Sequence, residues 1–272
     1  MTQRGSAAVI AEAIAREPGL VLILTGAGVS LASGIPTFRG ADEQALWKAD
    51  VTELATYRFF RRDPVRSWQW YRSRFARAAG AKPNPAHVAL AQVDTWLAAR
   101  DRPFLLITQN IDTLHEQAGT RRLIKVHGSA DRVRCAASRC ASHAAGATTL
   151  YAEQDFAAFD RNPSVANLPR CAACGDVMRP HVLWFDEMYT SHADYGWPTV
   201  MDACAAMRLV IAVGTSFSVG ITDLIDQTAN ERGVPMFVID PDDVRIGART
   251  GAVHVREQAE ELLPHVCAEL PA

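Results

Sequence analysis

The residues Leu20-Val21-Leu22-Ile23-Leu24-Thr25 run directly into Gly26-Ala27-Gly28-Val29-Ser30. A short run that is apolar at every position up to its last residue, and is closed by glycine, describes a strand covered on both faces. Glycines just beyond it leave the backbone free to come close to a phosphate. On its own Gly-x-Gly is a weak dinucleotide fingerprint, because a third glycine and an acidic residue about 20 positions on are missing. Buried runs of the same kind recur at residues 104–108, 209–213 and 236–240, with helical patterns at 85–99, 222–232 and 257–270. A further amphipathic stretch, residues 6–16, stops at Pro18-Gly19. The alternation predicts an α/β fold: a Rossmann-like parallel sheet with helices on both faces and ligands at the carboxyl ends of the strands.

Two stretches break the alternation. Residues 41–81 are rich in arginine and aromatics and read as helical, whereas 129–176 hold four of the six cysteines and little apolar periodicity. Both read as insertions that together build a small domain. The 272 residues are 49% apolar and 21% charged, so a sizeable core is expected and general disorder is not. A net charge of −2 carries no electrostatic footprint for nucleic acid or an anionic membrane. The longest apolar run is too short to span a bilayer, and the N-terminal residues lack a signal-peptide pattern, which together predict a cytoplasmic protein. Composition also favours a monomer.

Five motifs follow one another along the chain. They are Gly26 to Gly40 (Gly-Ala-Gly-Val-Ser-Leu-Ala-Ser-Gly-Ile-Pro-Thr-Phe-Arg-Gly), Thr108-Gln109-Asn110-Ile111-Asp112-Thr113-Leu114-His115, His127-Gly128-Ser129, Arg179-Pro180-His181-Val182-Leu183-Trp184-Phe185, and Gly214-Thr215-Ser216. In this order they resemble the signature of the sirtuins, the NAD-dependent protein deacylases of the Sir2 family, over nearly the whole chain. The resemblance implies an NAD-binding domain of residues 1–40, 82–128 and 177–272, with the helical insertion 41–81 and a zinc-binding insertion 129–176 forming the small domain.

It also implies roles. Asn110, Ile111 and Asp112 would hold the nicotinamide carboxamide, Phe38 would screen the ribose carbon, and Arg39 and Gln109 would orient ribose and phosphate. Gly26, Ala27, Gly28, Ser30, Thr37, Gly214, Thr215, Ser216 and Asp240 would complete the NAD site, with Asp240 accepting from ribose hydroxyls. The acyl oxygen of an acyl-lysine would attack the ribose carbon to give an alkylimidate. His127 stands at the position of the general base that then activates a ribose hydroxyl, a task suited to imidazole. His87 and His115 are expected to brace helices, His181 to be structural, and His254 and His265 to lie at the surface.

Cys135-x4-Cys140 and Cys171-x2-Cys174 offer four thiolates, enough for one closed, structural zinc per subunit, although His143 is an alternative to Cys140. Cys204 and Cys267 read as buried, inert thiols.

Ala55, and on the following helix Tyr71 and Arg74, resemble the acyl pocket of the desuccinylase type of sirtuin (sirtuin-5 and bacterial CobB-like proteins). Positions i and i+3 share a helix face, and a guanidinium with a phenol can hold a carboxylate. The implied substrates are proteins with succinyl-, malonyl- or glutaryl-lysine, and also acetyl-lysine. Val182, Trp184 and Phe185 would meet the substrate backbone, where Asp186 departs from the family pattern. A plain deacetylase with incidental Tyr71 and Arg74 remains an alternative, as does NAD hydrolysis or ADP-ribosyl transfer.

Overall fold

The computed structural model describes residues 3–36, 53–218, 220–244 and 251–272. Its strands are β1 (Leu20–Thr25), β2 (Phe104–Thr108), β3 (Leu123–Lys125), β4 (Gly128–Cys135), β5 (Thr149–Leu150), β6 (Met178–Val182), β7 (Met207–Val213), β8 (Met236–Ile239) and β9 (Ala252–Val255). Its helices are α1 (Gln3–Arg16), α2 (Tyr57–Arg62), α3 (Pro64–Ala78), α4 (Pro85–Ala98), α5 (Leu114–Ala118), α6 (Ala141–Ala144), α7 (Ala157–Arg161), α8 (Trp197–Ala206), α9 (Gly220–Glu231) and α10 (Ala259–Ala268). Among the described residues no helix is long and apolar enough to cross a membrane.

Six strands form one sheet in the order β3-β2-β1-β7-β8-β9, every pair parallel. The period of two explains the unbroken apolar run of β1. Val21 and Ile23 point to one face, where they join Ile10 and Ile14 of α1, Leu90 and Leu97 of α4, and Leu262 and Val266 of α10. Leu22 and Leu24 point to the other, where Val200 and Ala203 of α8 and Ile221 and Ile225 of α9 cover them. With helices on both faces, no position of the strand is left for a polar residue. The expected Rossmann-like sheet is therefore present. β3 and β9, which are short and only partly buried, carry no comparable apolar run.

Local signals set the helix starts. Asn84 caps α4 by accepting from the Ala86 N–H at 2.9 Å, with Pro85 at the first helical position. Asp63 caps α3 in the same way ahead of Pro64.

A second, antiparallel sheet has the order β5-β4-β6. β6 belongs to this smaller sheet through its pairing with β4. Around it lies a separate apolar cluster in which Phe60, Trp68, Tyr71 and Phe75 of α2 and α3 pack against Val133, Phe156, Phe159 and Trp184. The two insertions thus share one core. Residues 37–52 lie outside the described residues, so the helical reading of 41–81 is met here by α2 and α3.

Trp68 is fully buried in that shared core, edge-on to Phe156 at 4.9 Å, and its indole N–H donates to the Met178 carbonyl at 2.8 Å. Trp68→Ala should cost about 3–5 kcal/mol, read as a lower urea midpoint. A loss under about 1 kcal/mol would mean that α3 does not hold the two insertions together.

Candidate active site

The sheet order places β1 between β2, which follows it, and β7, which comes from the distant half of the chain. That is the topological switch point at which open α/β sheets bind ligands. There the loops after β1 and β7 touch backbone to backbone. The Gly26 N–H donates to the Val213 carbonyl at 3.0 Å and the Gly28 N–H to the Gly214 carbonyl at 2.9 Å. A Cβ on Gly28 would stand 2.7 Å from Gly214 Cα, and one on Gly26 would stand 2.6 Å from the Gly214 carbonyl oxygen. Gly214 has φ +58°, and its own Cβ would lie 2.3 Å from the Val29 nitrogen. The glycines are needed because the loops meet each other, a reason that sequence alone did not supply.

Polar side chains line the floor. Asn110 donates to the Gly26 carbonyl at 3.0 Å and to Ser30 Oγ at 3.2 Å, and Ser30 donates to Asp112 at 3.0 Å. Gln109 donates to Thr215 Oγ1 at 3.0 Å, which joins the β2 and β7 loops. Beneath them Thr25 donates to Thr108 at 2.8 Å and meets His115 Nε2 at 3.0 Å, so the imidazole donates from Nε2. His115 Nδ1 is buried and has no hydrogen-bond partner among the described residues. Burial pushes the pKa of His115 down to about 3, and that of His87, beside Ser30, down to about 4. Both rings brace the floor as neutral groups.

Lys125 closes this side, donating to the carbonyl of Asp112 and to Ser129 Oγ. The Ile111 carbonyl accepts from the Ala130 N–H at 2.7 Å. Ser216 lies exposed at the crevice mouth, with Ala27 partly buried across it. Asp240 sits at the end of β8, where burial raises its pKa and its carboxylate accepts from the Asp242 N–H at 3.0 Å. Thr37, Phe38 and Arg39 lie outside the described residues.

His127 stands between β3 and β4, and Gly128 after it keeps clear of the His181 carbonyl, which a Cβ would meet at 2.1 Å. Its Nδ1 faces the Gln109 carbonyl at 2.9 Å, so Nδ1 carries the proton and Nε2 keeps its lone pair. Burial pushes its pKa down to about 4, with the Gln109 carbonyl opposing. Near neutral pH the ring is therefore an unprotonated base. Nε2 lies 3.3 Å from the hydroxyl of Tyr189, a residue that no local sequence pattern singles out.

A second group of side chains lies on the small-module side. Tyr71 is buried, and its hydroxyl accepts from the Trp184 indole N–H at 2.6 Å; among the described residues no acceptor takes the phenolic proton. Arg74, one turn on, stacks over Trp70 at 3.7 Å; its Nε is buried and has no hydrogen-bond partner among the described residues. Among the described residues no carboxylate pairs with it, and burial lowers its pKa only to about 10, so it stays charged. The Ala55 carbonyl accepts from the Phe185 N–H at 3.1 Å. Asp186 has an unforeseen role: its carboxylate accepts from the N–H groups of Tyr57 and Arg58, at 2.6 and 3.0 Å, at the start of α2. Val182 and Trp184 are interior, whereas Phe185 is half exposed.

Glu187, missed in the sequence, anchors this wall. It accepts from Arg179 at 2.5 and 2.8 Å, from Arg134 at 3.3 Å and from the Trp184 N–H at 3.0 Å. Burial works against its charge, but Arg179 and Arg134 hold its pKa below the usual range. His181, structural as expected, pairs with Asp194 at 2.8 Å.

The sulfurs of Cys135, Cys140, Cys171 and Cys174 lie within 4.8 Å of one another, with Cys135–Cys174 at 3.4 Å and Cys140–Cys171 at 3.8 Å. Four thiolates on a tetrahedral zinc at about 2.3 Å would be about 3.8 Å apart, so the cluster fits that ion. His143 is engaged elsewhere: its Nδ1 accepts from Arg134 at 3.2 Å, and its backbone N–H points at Cys140. Cys140, and not His143, is therefore the residue placed to complete the four-sulfur set, and a site closed by four ligands would be structural.

A glycine-clamped crevice at the switch point, with amide, hydroxyl and carboxylate groups at the strand ends, defines a dinucleotide-binding α/β protein. Residues 26–220 match the Sir2 family, and the chain belongs to that family. It is 36% identical over 240 residues to an NAD-dependent protein deacylase of Thermus thermophilus, covering 86% of each chain. It is also 36% identical over 228 residues to the mitochondrial NAD-dependent protein deacylase sirtuin-5 of Canis lupus familiaris, covering 79% of this chain and 71% of that one. A solved structure of a Sir2 homologue in complex with NAD superposes with a TM-score of 0.76 at 32% identity, covering 96% and 93% of the two chains.

The cysteine cluster predicts one zinc per chain by atomic emission. Cys171→Ser should lose most of it and lower the melting temperature; retention of a full equivalent would exclude Cys171 as a ligand. The buried histidines predict an acid-labile fold. Between pH about 6.5 and about 3 the unfolded chain takes up a proton at His115 that the folded chain refuses. Stability is therefore full above pH 6.5 and falls as the pH drops through that window. Replacing His115 with Gln should flatten the slope by up to ~1.4 kcal/mol per pH unit, measured by urea titration at several pH values. An unchanged slope would show that His115 is not held neutral.

Proposed function

We propose that this chain is an NAD-dependent protein-lysine deacylase that removes acidic short-chain acyl groups (succinyl, malonyl, glutaryl), and also acetyl, to give free lysine, nicotinamide and O-acyl-ADP-ribose. Family membership supports the deacylase reading. One observation carries the acidic preference: Arg74 is a half-buried guanidinium with no carboxylate partner among the described residues, next to a tyrosine whose proton no acceptor among them takes. A buried cation without a counterion is costly unless a ligand supplies one. Succinyl, malonyl and glutaryl groups each end in a carboxylate, whereas acetyl does not.

NAD supplies the electrophilic ribose carbon and nicotinamide as leaving group. On this reading the family positions Asn110, Ile111 and Asp112 hold the carboxamide, and the donations from Asn110 to Gly26 and Ser30 pre-orient that segment. The loops of Gly26, Ala27, Gly28 and Ser30 and of Gly214, Thr215 and Ser216 flank the dinucleotide, Gln109 links them, and Asp240 accepts from ribose hydroxyls. Phe38 and Arg39 keep their expected roles. His127 Nε2 takes a proton from a ribose hydroxyl, and the resulting imidazolium is steadied by the Gln109 carbonyl at Nδ1. Ala55, Tyr71 and Arg74 receive the acyl chain, with Val182, Trp184 and Phe185 as the wall beside it. We further propose that NAD binding belongs to residues 1–40, 82–128 and 177–272, and that 41–81 and 129–176 form the small domain. Four cysteines would hold zinc away from the chemistry.

Arg74→Met should reduce desuccinylation of a lysine peptide roughly 10- to 100-fold, the weight of a charge-assisted pair. Removal of acetyl from the same peptide, followed by mass spectrometry, should change by no more than about threefold on that account. Equal rates in variant and parent on both peptides would leave a plain deacetylase. NAD consumption with neither peptide altered would point to hydrolysis or ADP-ribosyl transfer.

A further inference from the structure

The Nε2 lone pair of His127 is already occupied. The hydroxyl of Tyr189 lies 3.3 Å from it, and the two rings stack at 5.8 Å between centroids and 18° between planes. Behind Tyr189, the indole of Trp197 at the start of α8 stacks at 4.8 Å and 10°. With Nδ1 of His127 protonated toward the Gln109 carbonyl, Nε2 is an acceptor and the phenolic proton points at it. Three rings from three parts of the chain thus form one stack, and its hydrogen bonds fix one tautomer of the end ring.

We propose that Tyr189 is a positioning residue for His127: it fixes the imidazole plane by stacking, holds the Nδ1–H tautomer through its hydroxyl, and yields the Nε2 lone pair when a substrate hydroxyl arrives. Tyr189 transfers no proton in this scheme, since the proton leaving the ribose hydroxyl goes to Nε2. The role rests on the proposed deacylase reading, in which His127 acts only after nicotinamide has left. Among the groups that face the pair, the Gln109 carbonyl bears on His127, and the Asp223 carboxylate is the charge that bears on Tyr189.

The order of steps separates positioning from mere structural support. Incorporation of labelled nicotinamide into NAD in the presence of acyl-peptide reports the step before the base is needed, whereas free lysine reports the step after it. Tyr189→Leu, which loses stack and hydroxyl, should slow peptide deacylation at least roughly tenfold while leaving exchange within about twofold. Tyr189→Phe, which keeps the stack, should recover part of the rate. Because the lost hydroxyl stabilised neutral imidazole, Tyr189→Phe should raise the His127 pKa by roughly half a unit. That pKa is read by NMR on 13C-histidine-labelled protein, with His127→Ala identifying the resonance. Exchange and deacylation falling together, or neither falling, would overturn the proposal. Should the parent protein neither exchange nor deacylate, the proposed function fails, and the NMR titration then decides for Tyr189 alone. A His127 pKa and tautomer identical in Tyr189→Phe would overturn the contact, and a raised pKa would uphold it.

Discussion

The loops that follow β1 and β7 meet with no side chain between them, and the rest of the crevice depends on that contact. Gly26, Gly28 and Gly214 are each within 3 Å of the other loop where a Cβ would stand. Two hydrogen bonds continue the β1–β7 pairing into the loops, so the crevice floor extends the sheet itself. The side chains of Asn110 and Gln109 are then placed by bonds to this clamp, at Gly26 and Thr215. Rigid elements thereby hold polar groups that would otherwise move with surface loops.

A different constraint fixes the other wall. Burying Glu187 with two arginines would be unfavourable with any partner missing, because each charge is tolerated only through the others. Arg134 comes from β4, Arg179 from β6 and Glu187 from the loop after β6, so satisfying them closes the small sheet. Trp184 lies 3.4 Å over the Arg179 guanidinium and donates to Tyr71. The sheet that presents Cys135 is therefore joined by three contacts to the Tyr71 hydroxyl. The cysteine cluster and the surroundings of Tyr71 thus share one polar knot, and Cys135, Cys140 and Cys171 belong to the same buried cluster as Tyr71 and Trp184.

Much of this was legible in the sequence because burial on both faces leaves a plain trace. The strands β1, β2, β7 and β8 each carry an apolar run of four or five residues, and the four cysteines are spaced as paired ligands. Less was legible where a residue acts on a partner far along the chain. Asp186 read as a change in the substrate segment, yet its carboxylate caps a helix 129 residues earlier. The ladder between β6 and β4 joins segments more than 40 residues apart, and no local pattern marks it. Trp184 and Val182 read as substrate contacts, and both side chains lie in the buried aromatic cluster. The turn glycines were anticipated for phosphate approach, and the structure adds a reason internal to the chain. Tyr189 was invisible, since nothing local marks a hydroxyl that meets an imidazole 62 residues away.

Arg74 carries an unused capacity in a half-buried place: among the described residues it is a cation without an anion. Leaving such groups half satisfied weakens the folded state, because a desolvated polar group gives up water without full replacement. The loss is recoverable only by a ligand with the complementary group. On the proposed reading a terminal carboxylate restores to Arg74 the interaction that burial removed, and it also meets the phenolic proton of Tyr71. An acetyl group fits the space but returns neither interaction. Discrimination then comes from relief of a cost already built into the fold, which is why a neutral substrate can be accepted without being preferred.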